Sequence, residues 1–273
     1  GDLFTADCHS KPAYCLLRGA YYPSFGKPHD GLGFGPELIQ HTHGSTAISG
    51  IVYYAADQFP PEFRDTIFIG NCVTGRVNHD RIIHVGSSLR GVEQPDFIRC
   101  DDPWFRPVEL KLGPDGALYV ADFYNCIIGH YEGPLTHPRR DRHRGRVWRV
   151  YYKGSDEATA KPRQVDDLTR LDLDHLWAKL ADPNLVVRLL ATHEIVDRFG
   201  NSVVAPLRGR IGQTTSAFQR VCGLWILERL GALDEDLVRR LADDPDRLVR
   251  VHLTKALGER SPSSPSSLAV AEF

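Results

Sequence analysis

The sequence contains no methionine among its 273 residues, and its first apolar run begins at Leu3, almost at the first residue. A natural start carries methionine or a signal segment, so these features predict a fragment whose N-terminal part is missing. Any targeting information would then lie upstream of Gly1.

An excess of basic charge is also lacking, because 33 Lys and Arg residues face 35 Asp and Glu residues, for a formal net charge of −2. This balance argues against nucleic acid as a partner. No run of about 18 apolar residues occurs, so the sequence predicts no membrane span in this segment. With 42% hydrophobic and 25% charged residues, the composition is typical of one large or two ordinary globular domains.

No Cys-x-x-Cys motif occurs among the six cysteines, which excludes a c-type haem attachment motif and a zinc knuckle within this segment. Six cysteines in a chain of this length do not make a disulfide scaffold. We interpret them as small buried apolar side chains, and their disulfide pairing stays open. They are Cys8, Cys15, Cys72, Cys100, Cys126 and Cys222.

One strand pattern occurs three times: an aliphatic residue, an aromatic residue, a β-branched residue, a small residue, and then Asp or Asn. It occupies residues 3–7, 67–71 and 118–122, whose starts lie 64 and 51 residues apart. A repeat of about 50 residues is typical of propellers and arrays. The small residue suits a crowded strand near a propeller axis, and we expect the Asp or Asn at the end of its strand.

The third copy lies within one predicted blade, which covers residues 104–150. Gly113-Pro114-Asp115-Gly116 has the residue types of a tight turn, and residues 118–121 and 146–150 are rich in strand formers. Strand, turn, strand, loop and strand together form the plan of one blade. Residues 1–153 are therefore predicted to be about three C-terminal blades of a partial β-propeller.

The apolar period becomes helical after a polar linker predicted at residues 154–167. Asp182-Pro183 with Arg188 returns as Asp244-Pro245 with Arg250, at an offset of 62 residues, and Arg220 lies between the two arginines. This spacing predicts an α-solenoid of helix pairs over residues 168–260. We expect each Asp to cap the next helix and to pair with an Arg of its own or a neighbouring repeat. Thr214 replaces the Asp in the middle repeat, so the link there should be weaker, and residues 261–273 are predicted to be a disordered tail.

His41 and His43 are the first candidate site residues. On an extended chain their imidazoles point to the same face, just before a predicted strand. Three interpretations remain open: hydrogen-bonded loop histidines, a metal site, or contact with a substrate or cofactor. The sequence marks no third ligand, so we assign no metal site.

Arg106 and Asp122 are the second pair of candidates. Arg106 precedes the first strand of the third predicted blade and Asp122 ends the next strand, so one rim of the ring would carry both. There Arg106 would clamp a carboxylate of a cofactor or substrate with two parallel hydrogen bonds. The alternative is a structural Arg–Asp pair that ties the blade together.

Several segments together carry a family resemblance. They are RGAYY at 18–22, FGK at 25–27, HGST at 43–46, WFRPV at 104–108, GPDGALYVADFYN at 113–125, GHYE at 129–132 and GRVWR at 145–149. About the first 153 residues resemble the membrane-bound dehydrogenases of planctomycete and verrucomicrobial bacteria, which are similar to quinoprotein glucose and sorbosone dehydrogenases. The helical half resembles HEAT repeats through its Asp-Pro and Val-Arg positions.

The resemblance implies an extracytoplasmic dehydrogenase, periplasmic or in the cell envelope, that oxidises a sugar or related alcohol. It implies pyrroloquinoline quinone and calcium as cofactors of the full-length protein, and a c-type cytochrome as the electron acceptor. Within this segment it assigns Arg106, Asp122, His41 and His43 as cofactor-binding candidates. It leaves the catalytic residue unknown, so the fragment is expected to be inactive alone. The alternatives are a non-catalytic propeller and HEAT scaffold that binds a polysaccharide or a protein partner, or a structural role in docking a cytochrome domain.

Overall fold

The computed structural model describes residues 2–8, 13–23, 32–45, 47–129, 133–154 and 163–260. The chain divides into two compact units, Gly1–Gln164 and Val165–Phe273. Strands form the first unit and helices the second, so the predicted β plus α content is present. Residues 155–162 of the predicted linker and the predicted tail at 261–273 lie outside the described residues.

The strands of the first unit form three antiparallel sheets, each with its strands in chain order. The first sheet contains β1 (Leu3–Ala6) and β2 (Ala13–Leu16). The second contains β3 (Ile48–Tyr53), β4 (Thr66–Asn71), β5 (Arg76–Val85) and β6 (Ser88–Arg99). The third contains β7 (Pro107–Leu112), β8 (Leu118–Asp122) and β9 (Arg146–Val150).

The three copies of the strand pattern are β1, β4 and β8, one in each sheet. Their surroundings repeat as well. Asn71, which ends β4, pairs with Ile48 at the start of β3, and Asp122, which ends β8, pairs with Pro107 at the start of β7. The strand β1 contacts β3 in the next sheet as β4 contacts β7, so consecutive sheets are arranged in the same way.

Two apolar layers separate the three sheets, because side chains on β4 alternate between its two faces. Ile67 and Ile69 are fully buried in a cluster that includes Ala13 of β2. Phe68 points the other way, into a cluster with Leu110 and Leu118 of the third sheet. The sheets therefore pack face to face, with the second sheet in the middle.

Gly70 lies where the backbones of the second and third sheets approach each other closely. A Cβ built on Gly70 would lie 2.5 Å from the carbonyl oxygen of Pro107 and 2.7 Å from that of Ser49. These neighbours are backbone atoms, which cannot rotate away as side-chain ends do. The small residue of the strand pattern is thus required by a crowded contact, as the sequence predicts.

Gly70→Ala should therefore destabilise the sheet unit by about 1–3 kcal/mol, the usual cost of overpacking. Chemical denaturation followed by near-ultraviolet circular dichroism measures this change. Gly145→Ala is the matched control, since its Cβ would meet the nearest atom, the Asp122 carbonyl oxygen, at 3.5 Å, an ordinary contact distance. Equal stability of the two variants would contradict the packing described for Gly70.

The second unit consists of helix pairs. The first pair is α1 (Leu173–Lys179) and α2 (Leu185–Phe199), the second is α3 (Val204–Gln213) and α4 (Ala217–Arg229), and the third is α5 (Glu235–Ala242) and α6 (Arg247–Glu259). Each pair packs together, and α4 contacts both α2 and α6. One apolar cluster runs through all three pairs.

Three arginines repeat one contact along the helical unit. The guanidinium groups of Arg188, Arg220 and Arg250 each donate to the carbonyl oxygen of the residue six positions earlier. Arg220 also donates two hydrogen bonds to the carboxylate of Asp244 in the next pair, at 2.7 and 3.0 Å. This is the link between neighbouring repeats that the sequence predicts.

The middle repeat differs at Thr214, as expected from its sequence. Without a carboxylate in that repeat, the guanidinium carbon of Arg188 lies 4.0 Å from the ring centre of Phe218. The prediction that Asp182 and Asp244 cap the next helix was wrong by two residues. The side chains that cap α2 and α6 belong to Asn184 and Asp246, two residues after the predicted aspartates.

Candidate functional site

His41 and His43 converge on one buried carboxylate. The Nε2 atom of His41 lies 2.7 Å from Oδ1 of Asp80, and Nε2 of His43 lies 2.7 Å from Oδ2 of the same residue. The two imidazole rings are 4.8 Å apart at a nearly perpendicular angle. The sequence placed the two histidines on one face, and the register of β5 brings Asp80 to them.

The Asp80 side chain is completely buried, and it lies in β5 two residues before Ile82 of the apolar layer between the first and second sheets. A carboxylate in such surroundings needs hydrogen bonds or an opposite charge. The His43 side chain is only 1% exposed, whereas the His41 side chain is 25% exposed. The cluster therefore has a closed side at His43 and a partly open side at His41.

Glu93 on β6 extends the cluster towards solvent. Its Oε1 atom lies 3.7 Å from Nδ1 of His43, and its side chain is 56% exposed. Potential ligand atoms of His41, His43 and Glu93 all lie within 4.8 Å of one another. We name the four residues His41, His43, Asp80 and Glu93 the histidine–carboxylate cluster.

His79 neighbours Asp80 on β5 but points to the opposite face of the sheet. Its Nε2 atom lies 2.5 Å from Oγ1 of Thr66, and its ring is 5.3 Å from that of Phe68. Burial lowers the pKa of His79, because the charged form loses its hydration, although the neighbouring Asp80 acts in the opposite direction. His79 thus belongs to the aromatic core of the second sheet rather than to the cluster.

Arg106 and Asp122 meet through the backbone. The N–H of Arg106 donates to Oδ1 of Asp122 at 2.8 Å, so the pair does not form through the guanidinium group. That group instead donates to backbone carbonyl oxygens of the loops after β4 and β8. Its partners are Cys72, Val73, Asn125 and Cys126, at 2.8 to 3.2 Å.

Asp122 is 3% exposed and accepts hydrogen bonds from three groups. Besides the Arg106 N–H, these are the backbone N–H of Tyr124 at 2.8 Å and the indole Nε1–H of Trp148 at 3.0 Å. Asn71 serves the same purpose in the second sheet, where it donates to the carbonyl oxygen of His43 and accepts from the N–H of Thr74. In the second and third sheets, the residue that ends the patterned strand therefore ties the following loop to the segment before the preceding strand.

An aromatic surface surrounds Asp122, and the sequence did not predict it. The guanidinium carbon of Arg146 lies 3.2 Å from the ring centre of Tyr124, whose other neighbour is the Trp104 ring at 5.6 Å. Trp148 lies two residues after Arg146, on the same face of β9, and is 46% exposed. We name Trp104, Tyr124, Arg146 and Trp148 the aromatic rim.

Phe123, next to the rim, is 48% exposed. Alternating positions in the motif GRVWR gave a signal for the rim, because Arg146 and Trp148 lie two residues apart on a strand. Which of the two faces they occupy depends on the pairing of β9 with β8, where Trp148 lies opposite Val120.

All six cysteines are free thiols, but the interpretation that they are buried apolar side chains was wrong, since Cys8 and Cys100 are exposed and the other four are only partly buried. Burial raises the pKa of both Cys72 and Cys222, which keeps these thiols protonated and unreactive near neutral pH. Residues 25–27, Thr46 and residues 130–132, which contribute to the family resemblance, lie outside the described residues. In the part of the chain that the structure describes, no helix is both long enough and apolar enough to cross a bilayer.

Comparison with known families gives one match, to a family model described as "Domain of unknown function (DUF7133)", over residues 25–154. The matched segment is just under half of the chain, and it includes the histidine–carboxylate cluster and the aromatic rim. No curated protein and no solved structure matches the sequence.

Proposed function

We propose that the first unit is an arc of a β-propeller that binds a carbohydrate, and that the second is a solenoid of HEAT-like helix pairs. Three features support a propeller arc: consecutive antiparallel sheets, the same strand register at Asn71 and Asp122, and face-to-face packing through two apolar layers. The stacking of α2, α4 and α6 supports a solenoid, in which each repeat contacts its neighbours.

The aromatic rim is the observation that carries the binding proposal. Exposed aromatic rings beside polar groups are typical of ligand-binding surfaces. Aromatic rings offer a flat apolar face, and the C–H groups of a sugar ring pack well on such a face. Arg146 supplies hydrogen-bond donors beside Trp148, where they can reach sugar hydroxyl groups.

Trp148→Ala should weaken carbohydrate binding about tenfold, since an aromatic contact contributes roughly 0.5–1.5 kcal/mol beyond the area that it buries. The ligand is first identified on a glycan array with the unmodified chain, and its affinity is then measured by isothermal titration calorimetry. Val147→Ala is the control, because Val147 lies on the opposite face of the same strand.

Trp148→Phe separates binding from folding. The phenylalanine variant keeps an aromatic face but loses the indole N–H that donates a hydrogen bond to Asp122. It should therefore bind the sugar better than Trp148→Ala does. If no glycan binds the unmodified chain, or if Trp148→Ala and Val147→Ala bind it equally well, the carbohydrate proposal is wrong.

Sugar oxidation by a quinoprotein is the activity that the family resemblance implies. The surroundings of Arg106 and Asp122 do not fit its cofactor. The guanidinium donors of Arg106 are directed at four backbone carbonyl oxygens, and Asp122 already accepts three hydrogen bonds. Neither side chain presents its polar atoms to a quinone carboxylate or to calcium. We therefore derive no catalytic step through these two residues.

The dehydrogenase proposal is tested on the full-length protein that the resemblance implies, by adding pyrroloquinoline quinone and calcium and following dye reduction with aldoses. Turnover would support the proposal, whereas no turnover and no quinone binding would remove it. Glycan binding without quinone binding or turnover would instead favour the non-catalytic scaffold, in which the helical unit docks a protein partner.

A further inference from the structure

We propose that the histidine–carboxylate cluster is a binding site for a divalent transition-metal ion, with His41, His43 and Glu93 as ligands and Asp80 as the buried carboxylate behind the two imidazoles. This inference does not depend on the carbohydrate proposal. It rests on how four polar side chains from three segments of the chain converge: the loop before β3, the middle of β5, and β6.

The contacts of the two histidines with Asp80 are the first reason for the proposal. Nε2 of His41 and Nε2 of His43 each lie 2.7 Å from an oxygen of this buried carboxylate. A ligating histidine usually directs its other ring nitrogen to a carboxylate or carbonyl, which fixes the tautomer of the ring. With Nε2 directed at Asp80, Nδ1 is the ring nitrogen that is left to bind an ion.

The donor set is the second reason. Two imidazole nitrogens and one or two carboxylate oxygens suit zinc and the neighbouring divalent transition metals. Thiolates take no part, because no cysteine belongs to the cluster. A ligand-to-metal distance of about 2.0–2.2 Å separates two ligand atoms by roughly 3–4 Å. Nδ1 of His43 and Oε1 of Glu93 are 3.7 Å apart, and the ligand atoms of His41, His43 and Glu93 all lie within 4.8 Å of one another.

Burial is the third reason. Asp80 carries its carboxylate next to an apolar layer, where a charged group is costly unless it is paired or bound to a metal. A divalent cation would compensate this carboxylate and the neighbouring Glu93 together. The exposed side chain of Glu93 and the partly exposed His41 would give the ion a route from solvent.

Glu93 fits the place of the third ligand. Its Oε1 atom lies 3.7 Å from Nδ1 of His43, the ring nitrogen that faces away from Asp80. An ion between these two atoms would be reached from solvent, because the Glu93 side chain is exposed. Asp80 then acts as the outer carboxylate that orients the imidazole of His43.

The test uses the tag-free 273-residue chain, freed of metal with a chelator and titrated with ZnCl₂ by isothermal titration calorimetry. We expect one zinc ion per chain. His41→Gln and Glu93→Gln should each weaken zinc binding by roughly 100-fold, because each variant removes one ligand. These two side chains are partly exposed, so their variants should fold, which thermal unfolding in the presence of chelator checks.

His84→Gln is the matched control, since His84 is an exposed histidine on the same strand as Asp80 and should leave zinc affinity unchanged. Cobalt provides a second readout. The Co²⁺-loaded chain should show absorption from nitrogen and oxygen ligands and no thiolate charge-transfer band. The proposal is overturned if the chain binds no zinc, if His41→Gln binds it as tightly as His84→Gln does, or if the cobalt spectrum shows thiolate ligands.

Discussion

Asp122→Ala should destabilise the sheet unit by about 3–6 kcal/mol, the largest loss that we expect from any single substitution. The carboxylate accepts hydrogen bonds from the Arg106 N–H, the Tyr124 N–H and the Trp148 indole. Each buried donor left without an acceptor costs roughly 1–3 kcal/mol. Tyr124 adds to this cost because its φ of 46° lies in the left-handed region, where the bond to Asp122 helps to hold it.

The measurement for Asp122 is chemical denaturation followed by near-ultraviolet circular dichroism, which reports the aromatic packing of the rim. Asp102→Ala is the control, because the Asp102 carboxylate accepts one N–H, that of Trp104, at an exposed position. We expect it to cost about 1 kcal/mol or less. If the two variants lose similar amounts of unfolding free energy, the three hydrogen bonds of Asp122 do not stabilise the loop after β8.

Asp122→Asn refines the same experiment. The amide keeps one oxygen that can accept from the backbone N–H groups of Arg106 and Tyr124. Its NH₂ group would face the indole N–H of Trp148, so two donors would oppose each other. We therefore expect a loss smaller than that of Asp122→Ala.

Arg220→Met should destabilise the helical unit by about 3–5 kcal/mol. Arg220 and Asp244 have side chains only 12% and 7% exposed, and removing one partner leaves the other charge buried without its counterion. Methionine keeps most of the apolar length of the side chain, so the loss reports the charge rather than a cavity. Far-ultraviolet circular dichroism during denaturation follows this unit, because the six α-helices found among the described residues lie in it.

Arg239→Met is the matched control for Arg220→Met. Arg239 pairs with Glu235 one turn away on α5, but both side chains are more than 60% exposed. Pairs of this kind contribute about 0.3–0.5 kcal/mol. If Arg220→Met proves no more destabilising than Arg239→Met, the link between the second and third helix pairs contributes little to the stability of the unit.

Much of the fold could be predicted from local patterns. Three strands were recognisable from one five-residue pattern, and the turn at residues 113–116 forms as its residue types indicate, with a hydrogen bond from the Gly116 N–H to the Gly113 carbonyl oxygen. The contact between Arg220 and Asp244 followed from the repeat of 62 residues. In each case the signal lies within one strand, within one turn or in the spacing of neighbouring repeats.

The site was less predictable, because its contacts depend on strand register. Asp80 gave no signal in the sequence, since its meeting with His41 and His43 depends on how β5 pairs and on the path of the loop before β3. The role of Arg106 was also hidden. An arginine and a nearby aspartate suggest an ion pair, but the guanidinium group of Arg106 donates to backbone carbonyl oxygens. No residue pattern predicts the positions of these oxygens.

A crystal structure of the chain with its bound oligosaccharide would test the central claim most directly, namely that an arc of propeller blades presents the aromatic rim to a sugar. The account predicts a sugar ring within about 4 Å of the Trp148 or Phe123 ring, with the three sheets packed in succession. A sugar bound elsewhere on the chain, with Trp148 and Phe123 uncovered, would contradict it.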